Sequence, residues 1–202
     1  MTKAILAITP ADVSDALILE NLACQRGGRL LFEGLSARVE PGGALLLTGP
    51  NGAGKSSLLR LIAGLLPAAA GTVTGGGGRA FLGHDVALKP RQTLGSELRY
   101  WAGLDGGLAR LPAALAAMNL AALADVPCRM LSSGQKRRAG LVRVMAAGAD
   151  LWLLDEPTAG LDVASSALLA AAMAAHRAAG GLVVAAVHGD IGLADAQTLR
   201  LG

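Results

Sequence analysis

The amino-acid sequence predicts an α/β fold with a mainly parallel sheet. Three observations carry that expectation. Short apolar runs alternate with helical patterns through the second half of the chain, a glycine-rich loop stands between one such run and a helix, and another run ends in paired acids. Strands that alternate with helices build a parallel sheet whose binding sites lie at the strands' C-terminal ends.

Residues 1–16 show no clear period and are expected to form an N-terminal extension to a domain spanning residues 17–202. Leu17 to Cys24 and Leu30 to Val39 read as two strands, and Gly27-Gly28 between them suits a hairpin turn. After Pro41-Gly42-Gly43, the run Ala44 to Thr48 suits a strand buried on both faces. A helix opens in the following glycine-rich loop and runs to about Ala63, with Gly64 and Pro67 beyond it as stop signals. Gly71 to Leu82 reads as a short β pair turning at Gly75 to Gly78. Thr93 to Leu123 is helical in pattern, with Pro112 opening a further helix, and a helical subdomain is expected at about residues 86–147. The chain then alternates: helix from Ser132 to Ala147, strand Leu151 to Asp155, helix Val163 to Ala179, strand Leu182 to Val187.

With 202 residues the chain can build one substantial core, since a domain of this size buries roughly 70% of its unfolded surface. Hydrophobic residues make up 52% and aromatic ones 2%, so that core must be made of Ala, Leu and Val. A membrane span needs about 20 consecutive apolar residues, and none is present. Leu58 to Ala70 is broken by Arg60, Gly64 and Pro67, and Ala167 to Val187 by His176, Arg177, Gly180 and Gly181. The N-terminus has no signal-peptide zones, so a cytoplasmic chain is expected. Cys24 and Cys128 lie outside any disulfide, metal or haem-attachment spacing. The net charge is +3, with Arg129, Lys136, Arg137, Arg138 and Arg143 concentrated in one region. Without stacking aromatics this reads as a solvated helix face or a phosphate-facing interface rather than a nucleic-acid surface.

Gly49-Pro50-Asn51-Gly52-Ala53-Gly54-Lys55-Ser56, followed by Ser57, satisfies G-x-x-x-x-G-K-[ST] between an apolar strand and a helix. Such a loop converges backbone N–H groups on phosphate oxygens. Lys55 supplies charge to the β and γ phosphates, and the Ser56 hydroxyl can ligate Mg²⁺. Two acids after a strand ordinarily make a solvated turn or a helix cap. Downstream of a phosphate loop, Asp155 is instead expected to serve Mg²⁺ and Glu156 to orient or deprotonate the attacking water. In Leu131-Ser132-Ser133-Gly134-Gln135, a serine caps a helix that continues with Lys136, Arg137 and Arg138. Basic residues early in a helix oppose its macrodipole, which points to an anion supplied from outside.

These stretches together resemble the ABC ATPases. Gly49 to Ser57 matches their Walker A motif, Leu131 to Gln135 their signature, Leu153 to Pro157 their Walker B, Gly160-Leu161-Asp162 their D-loop and His188 their switch histidine. The resemblance implies a homodimer binding ATP and Mg²⁺, in which Ser132, Ser133, Gly134 and Gln135 of one subunit face the nucleotide held by the other. It further implies that His188 contacts the γ phosphate, that Asp162 couples the two sites, and that integral membrane subunits are driven. For His188 the alternative is a buried, hydrogen-bonded core histidine. Within the family the chain is similar to ATP-binding subunits of haem exporters used in cytochrome c maturation, through Phe81-Leu82-Gly83-His84, Leu98-Arg99-Tyr100-Trp101 and Val126-Pro127. That likeness implies a peripheral protein on the cytoplasmic face of the inner membrane, with no direct haem binding and no nucleic-acid partner.

Two positions depart from the family. Asp85 stands at the Q-loop glutamine, where a carboxylate can still ligate Mg²⁺, and Gln92 lies too near the following helix to substitute. No aromatic residue near Cys24 and Gln25 is placed to stack on adenine, leaving Arg26 as the candidate. The competing readings are another ABC exporter or importer, a soluble ABC mechanoenzyme, and a P-loop small-molecule kinase. The kinase reading leaves the signature segment unexplained, and the mechanoenzyme lacks the second cassette or basic appendage it would need.

Overall fold

The computed structural model describes residues 15–202, so the expected N-terminal extension, apart from Asp15 and Ala16, lies outside the described residues. The first two strands, β1 (Leu17–Arg26) and β2 (Arg29–Val39), pair antiparallel through the Gly27-Gly28 turn, Leu17 opposite Val39 and Leu19 opposite Ala37. Next come β3 (Ala44–Thr48), α1 (Lys55–Ile62), β4 (Ala70–Thr74) and β5 (Arg79–Leu82). Then follow α2 (Leu94–Leu104), α3 (Leu111–Ala117) and α4 (Ser133–Ala147), which pack on one another. The chain closes with β6 (Leu151–Asp155), α5 (Val163–Ala178), β7 (Leu182–Ala186) and β8 (Gln197–Arg200).

Five strands form a parallel sheet in the order β5-β6-β7-β3-β8, and three form a smaller antiparallel sheet, β2-β1-β4. The central strands β3, β6 and β7 are almost wholly apolar because both faces of the sheet are covered there. Alternate residues serve opposite layers. Leu151, Leu153, Leu182 and Val184 join Leu58, Leu59 and Ile62 of α1 and Leu17, Leu19 and Leu22 of β1. Trp152, Leu154, Val183 and Ala185 join Leu94 and Leu98 of α2, Leu141 and Val142 of α4, and Leu169 and Met173 of α5. Each fully buried Leu or Val contributes about 1.5–3 kcal/mol, so a core nearly free of aromatic rings is adequately supplied by number.

The short β pair expected between Gly71 and Leu82 does not form. Both strands exist, but β4 pairs with β1, Leu19 opposite Val73, while β5 crosses to the edge of the parallel sheet, Ala80 opposite Trp152. The glycine run is a bridge between sheets rather than a hairpin turn. At Gly75, φ is +71° and an added Cβ would stand 2.0 Å from the carbonyl oxygen of Ala16, so only glycine can turn the chain away here. Asp150 fixes the far end by accepting from the Gly78 N–H at 2.9 Å. The final strand, β8, was not foreseen, because Gln197-Thr198-Leu199-Arg200 has no apolar alternation. Its place at the sheet edge comes from main-chain pairing with β3.

Candidate nucleotide-binding site

The site is assembled where β3, β6 and β7 end on the same side of the sheet. After β3 the chain turns through Gly49, whose φ is +131°. A Cβ there would meet the carbonyl oxygen of Leu201 at 2.1 Å, so the residue that follows β8 is what requires this glycine. Gly54 then opens α1 with no side chain capping its N-terminus and no acid in its first turn. The helix therefore leaves its first N–H groups for an external acceptor, the arrangement that binds phosphate. Asn51, Gly52, Lys55, Ser56 and Ser57 line the resulting cavity, and Glu156 faces it. Lys55 is buried, and its Nζ donates to the carbonyls of Gly49 at 2.7 Å and Pro50 at 3.1 Å, which holds the ammonium over the loop.

The acids follow from strand geometry. Asp155, the last residue of β6, is buried, and its Oδ1 accepts from the Ser56 hydroxyl at 3.1 Å, while its Oδ2 has no partner. A buried carboxylate oxygen without a partner is costly, and beside a serine hydroxyl it forms a fitting oxygen donor set for Mg²⁺. Glu156 is one of three described non-glycine residues with positive φ, at +50°. Its N–H donates to the Ala186 carbonyl at 3.0 Å, extending the sheet by one rung before the chain turns. Its carboxylate then lies between two histidines, 3.3 Å from Nε2 of His188 and 3.8 Å from Nδ1 of His84. His188 follows β7 with its side chain 47% exposed, so it is not a core histidine. The approach of His84 was not foreseen. It depends on a side-chain direction at the end of β5 that no spacing in the sequence encodes.

The signature segment forms a second cavity, lined by Ser133, Lys136, Gly160 and Asp85. Ser132 and Gln135 close a reciprocal capping box: Ser132 Oγ accepts from the Gln135 N–H at 3.2 Å, and Gln135 Oε1 from the Ser132 N–H at 2.8 Å. That engagement leaves the exposed Ser133 as the free hydroxyl at the helix tip. Asp162 caps α5, accepting from the Ser165 N–H at 2.7 Å, and this bonding to Ser165 holds its carboxyl below the usual carboxylate range. Asp85 is exposed and borders the signature cavity, not the phosphate-loop cavity. Gln92 is exposed just before α2, and Arg26 lies at the exposed end of the β1-β2 hairpin.

One expectation about this segment is corrected. Arg137 and Arg138 do not await an anion from outside; carbonyls of the chain accept from Arg137 and from Arg138 Nη1, while Arg138 Nε is buried without a partner. Arg138 Nη1 donates to Met118 at 2.8 Å, and Arg137 is buried among five carbonyls. Arg143 also faces inward, its guanidinium 3.9 Å over the ring of Trp101, whose Nε1 donates to buried Glu97 at 3.0 Å. The forked guanidinium matches several carbonyls at once and tolerates stacking, and so overrides a weak preference of the helix dipole. Of the basic cluster, Lys136 borders the signature cavity and Arg129 is exposed.

Comparison with known proteins agrees with this architecture. The ABC transporter family model matches residues 32–159. A protein of Rhodospirillum rubrum named cytochrome c biogenesis ATP-binding export protein CcmA is 53% identical over 195 residues, covering 90% of this chain and 84% of its own length. A protein of the same name from Paracoccus denitrificans is 48% identical over 187 residues, covering 92% and 89%. Among solved structures, the ATP-binding subunit of an ABC transporter superposes with a TM-score of 0.81 at 23% identity, covering 92% of this chain and 85% of that one, a likeness of fold. An inward-facing metal-chelate type ABC transporter gives 0.80 at 25% identity, covering 93% and 80%. With its phosphate loop and acidic strand in register, the chain belongs to the ABC transporter family, as one of its ATP-binding proteins.

Proposed function

We propose that this chain is the ATP-hydrolysing subunit of a haem-export complex serving cytochrome c maturation, acting as a homodimer on the cytoplasmic face of the inner membrane. The observation that carries the hydrolytic part is the Ser56–Asp155 contact at 3.1 Å, which joins the phosphate loop to the acidic strand and sets Glu156 at the cavity's rim. Lys55 and the N–H groups opening α1 hold the triphosphate. Ser56 and Asp155 hold Mg²⁺, which when bound neutralises charge on the β and γ phosphates. Glu156 orients water and accepts its proton, and His188 steadies both the carboxylate and the γ phosphate. Asp85 joins the metal only if the loop after β5 moves toward Ser56.

Ser133, Gly134 and Gln135 offer the α4 N-terminus to the nucleotide held by a second subunit, with Asp162 beside that junction. The domain is read as residues 17–202 with its helical part at about 86–147, and the region from Asp85 to Trp101 meets the membrane subunits. No described helix is long and apolar enough to cross a membrane, so transport requires such partners. The haem assignment rests on the names and high identity of the relatives. Deleting the gene from its host is expected to abolish c-type cytochromes, read by haem staining. Wild-type chain should restore them and a Lys55→Ala chain should not. Normal cytochrome levels in the deletion strain would refute the haem assignment and leave an ABC ATPase of another transporter.

A further inference from the structure

Arg137 binds no nucleotide in the reading above, yet it donates to five backbone carbonyls. It lies on α4, just after the signature segment, with 4% of its surface exposed. Its Nη1 donates to Gly83 at 2.7 Å and His84 at 3.1 Å in the loop after β5. Its Nη2 donates to Glu156 at 2.7 Å and to Asp155, and its Nε to Pro157 at 3.4 Å, all at the end of β6. One side chain therefore joins three elements: the helix that offers Ser133, the loop that carries His84 and Asp85, and the turn that carries Glu156.

The turn needs such support. A non-glycine residue in the left-handed region is strained and persists only where its surroundings over-determine it. At Glu156 the N–H is held by Ala186 and the carbonyl by Arg137, so both flanking peptides are tied down. The direction of the carboxylate, between His84 and His188, follows from that backbone. The His84 carbonyl is held by the same guanidinium, so the two residues are set against each other by a shared donor.

We infer that Arg137 is a positioning residue for ATP hydrolysis, transmitting displacement of α4 to the backbone of Glu156 and His84. This rests on the reading of Glu156 as the base. When the tip of α4 engages a nucleotide on the second subunit, the helix shifts as a rigid body, and the guanidinium carries the acid turn and the loop after β5 with it. Arg137 bonds the main chain of Asp155 but not its carboxylate or the phosphate loop, so its loss lowers turnover more than nucleotide affinity.

The test compares kcat and ATP affinity in Arg137→Lys, Arg137→Gln, Arg110→Lys and Glu156→Gln. Lysine keeps the charge but loses the planar fork. Arg110 is the control, because its guanidinium also donates to carbonyls of α4, Ala146 at 2.9 Å and Ala147 at 2.7 Å, at the end away from the nucleotide. Arg137→Lys and Arg137→Gln are expected to lower kcat by about tenfold to a hundredfold, the usual result of slightly misplacing a reacting group. ATP affinity should stay within about twofold, and Arg110→Lys should stay within about twofold in both quantities. The inference is overturned if a folded Arg137→Lys keeps wild-type kcat, if kcat and affinity fall together, or if neither Arg137 variant folds, which would make the residue structural. Full activity in Glu156→Gln would instead overturn the reading of the base on which the inference rests.

Discussion

Lys55→Ala is expected to weaken ATP binding by about tenfold to a hundredfold and to bring hydrolysis to background. The ammonium is buried and held over the loop by the carbonyls of Gly49 and Pro50. No neighbouring cation in the phosphate-loop cavity can replace it, since Asn51, Gly52, Ser56 and Ser57 are uncharged. A hydrogen bond to a charged group is worth about 1.5–3 kcal/mol, which corresponds to that range of affinity. Titration calorimetry with a nonhydrolysable ATP analogue measures the binding, and phosphate release measures the turnover. Unchanged affinity in the variant would mean that the triphosphate lies elsewhere.

Glu156→Gln should behave differently, with nucleotide still bound and kcat reduced by about 10² to 10⁴, the range for removing a general base. The amide has nearly the volume of the carboxylate and leaves the backbone bonds to Ala186 and Arg137 intact. What it removes is the carboxylate charge between His84 and His188. The contrast between the two variants, one losing binding and the other only turnover, distinguishes the phosphate loop from the acid turn. A variant that hydrolyses ATP at the wild-type rate would show that another group accepts the proton.

Much of this arrangement was legible in the sequence wherever local chemistry decides structure. The strand before the phosphate loop, Ala44 to Thr48, and the acidic strand, Leu151 to Asp155, are apolar runs closed by sharp signals, and both have the expected bounds. Ser132 caps α4 because Gln135 three residues later completes the box. Elements whose partners are distant in the chain were harder to read. The antiparallel partner of β4 is β1, and nothing in Ala70 to Thr74 names it. Likewise β8 is held by backbone pairing rather than by pattern.

At the site, side-chain direction was the missing information. Arg137 and Lys136 are neighbours of the same sign that both border the signature cavity, yet helical spacing buries the first and leaves the second half-exposed. In the same way Asp85 and His84 both border the signature cavity, but it is His84 and not Asp85, which stands at the Q-loop glutamine, that approaches the acid.

The central claim is that two subunits complete each other's nucleotide sites, and inter-subunit cross-linking tests it most directly. Ser133 and Asn51 are exposed and line separate cavities of one chain, while native Cys24 and Cys128 are buried and contribute little background. Mixing an Asn51→Cys protein with a Ser133→Cys protein, each also carrying Glu156→Gln, permits a disulfide between these positions only across subunits. We expect a cross-linked dimer that accumulates with Mg·ATP and is absent without nucleotide. If the yield is the same with and without ATP, the two halves do not meet around the phosphates.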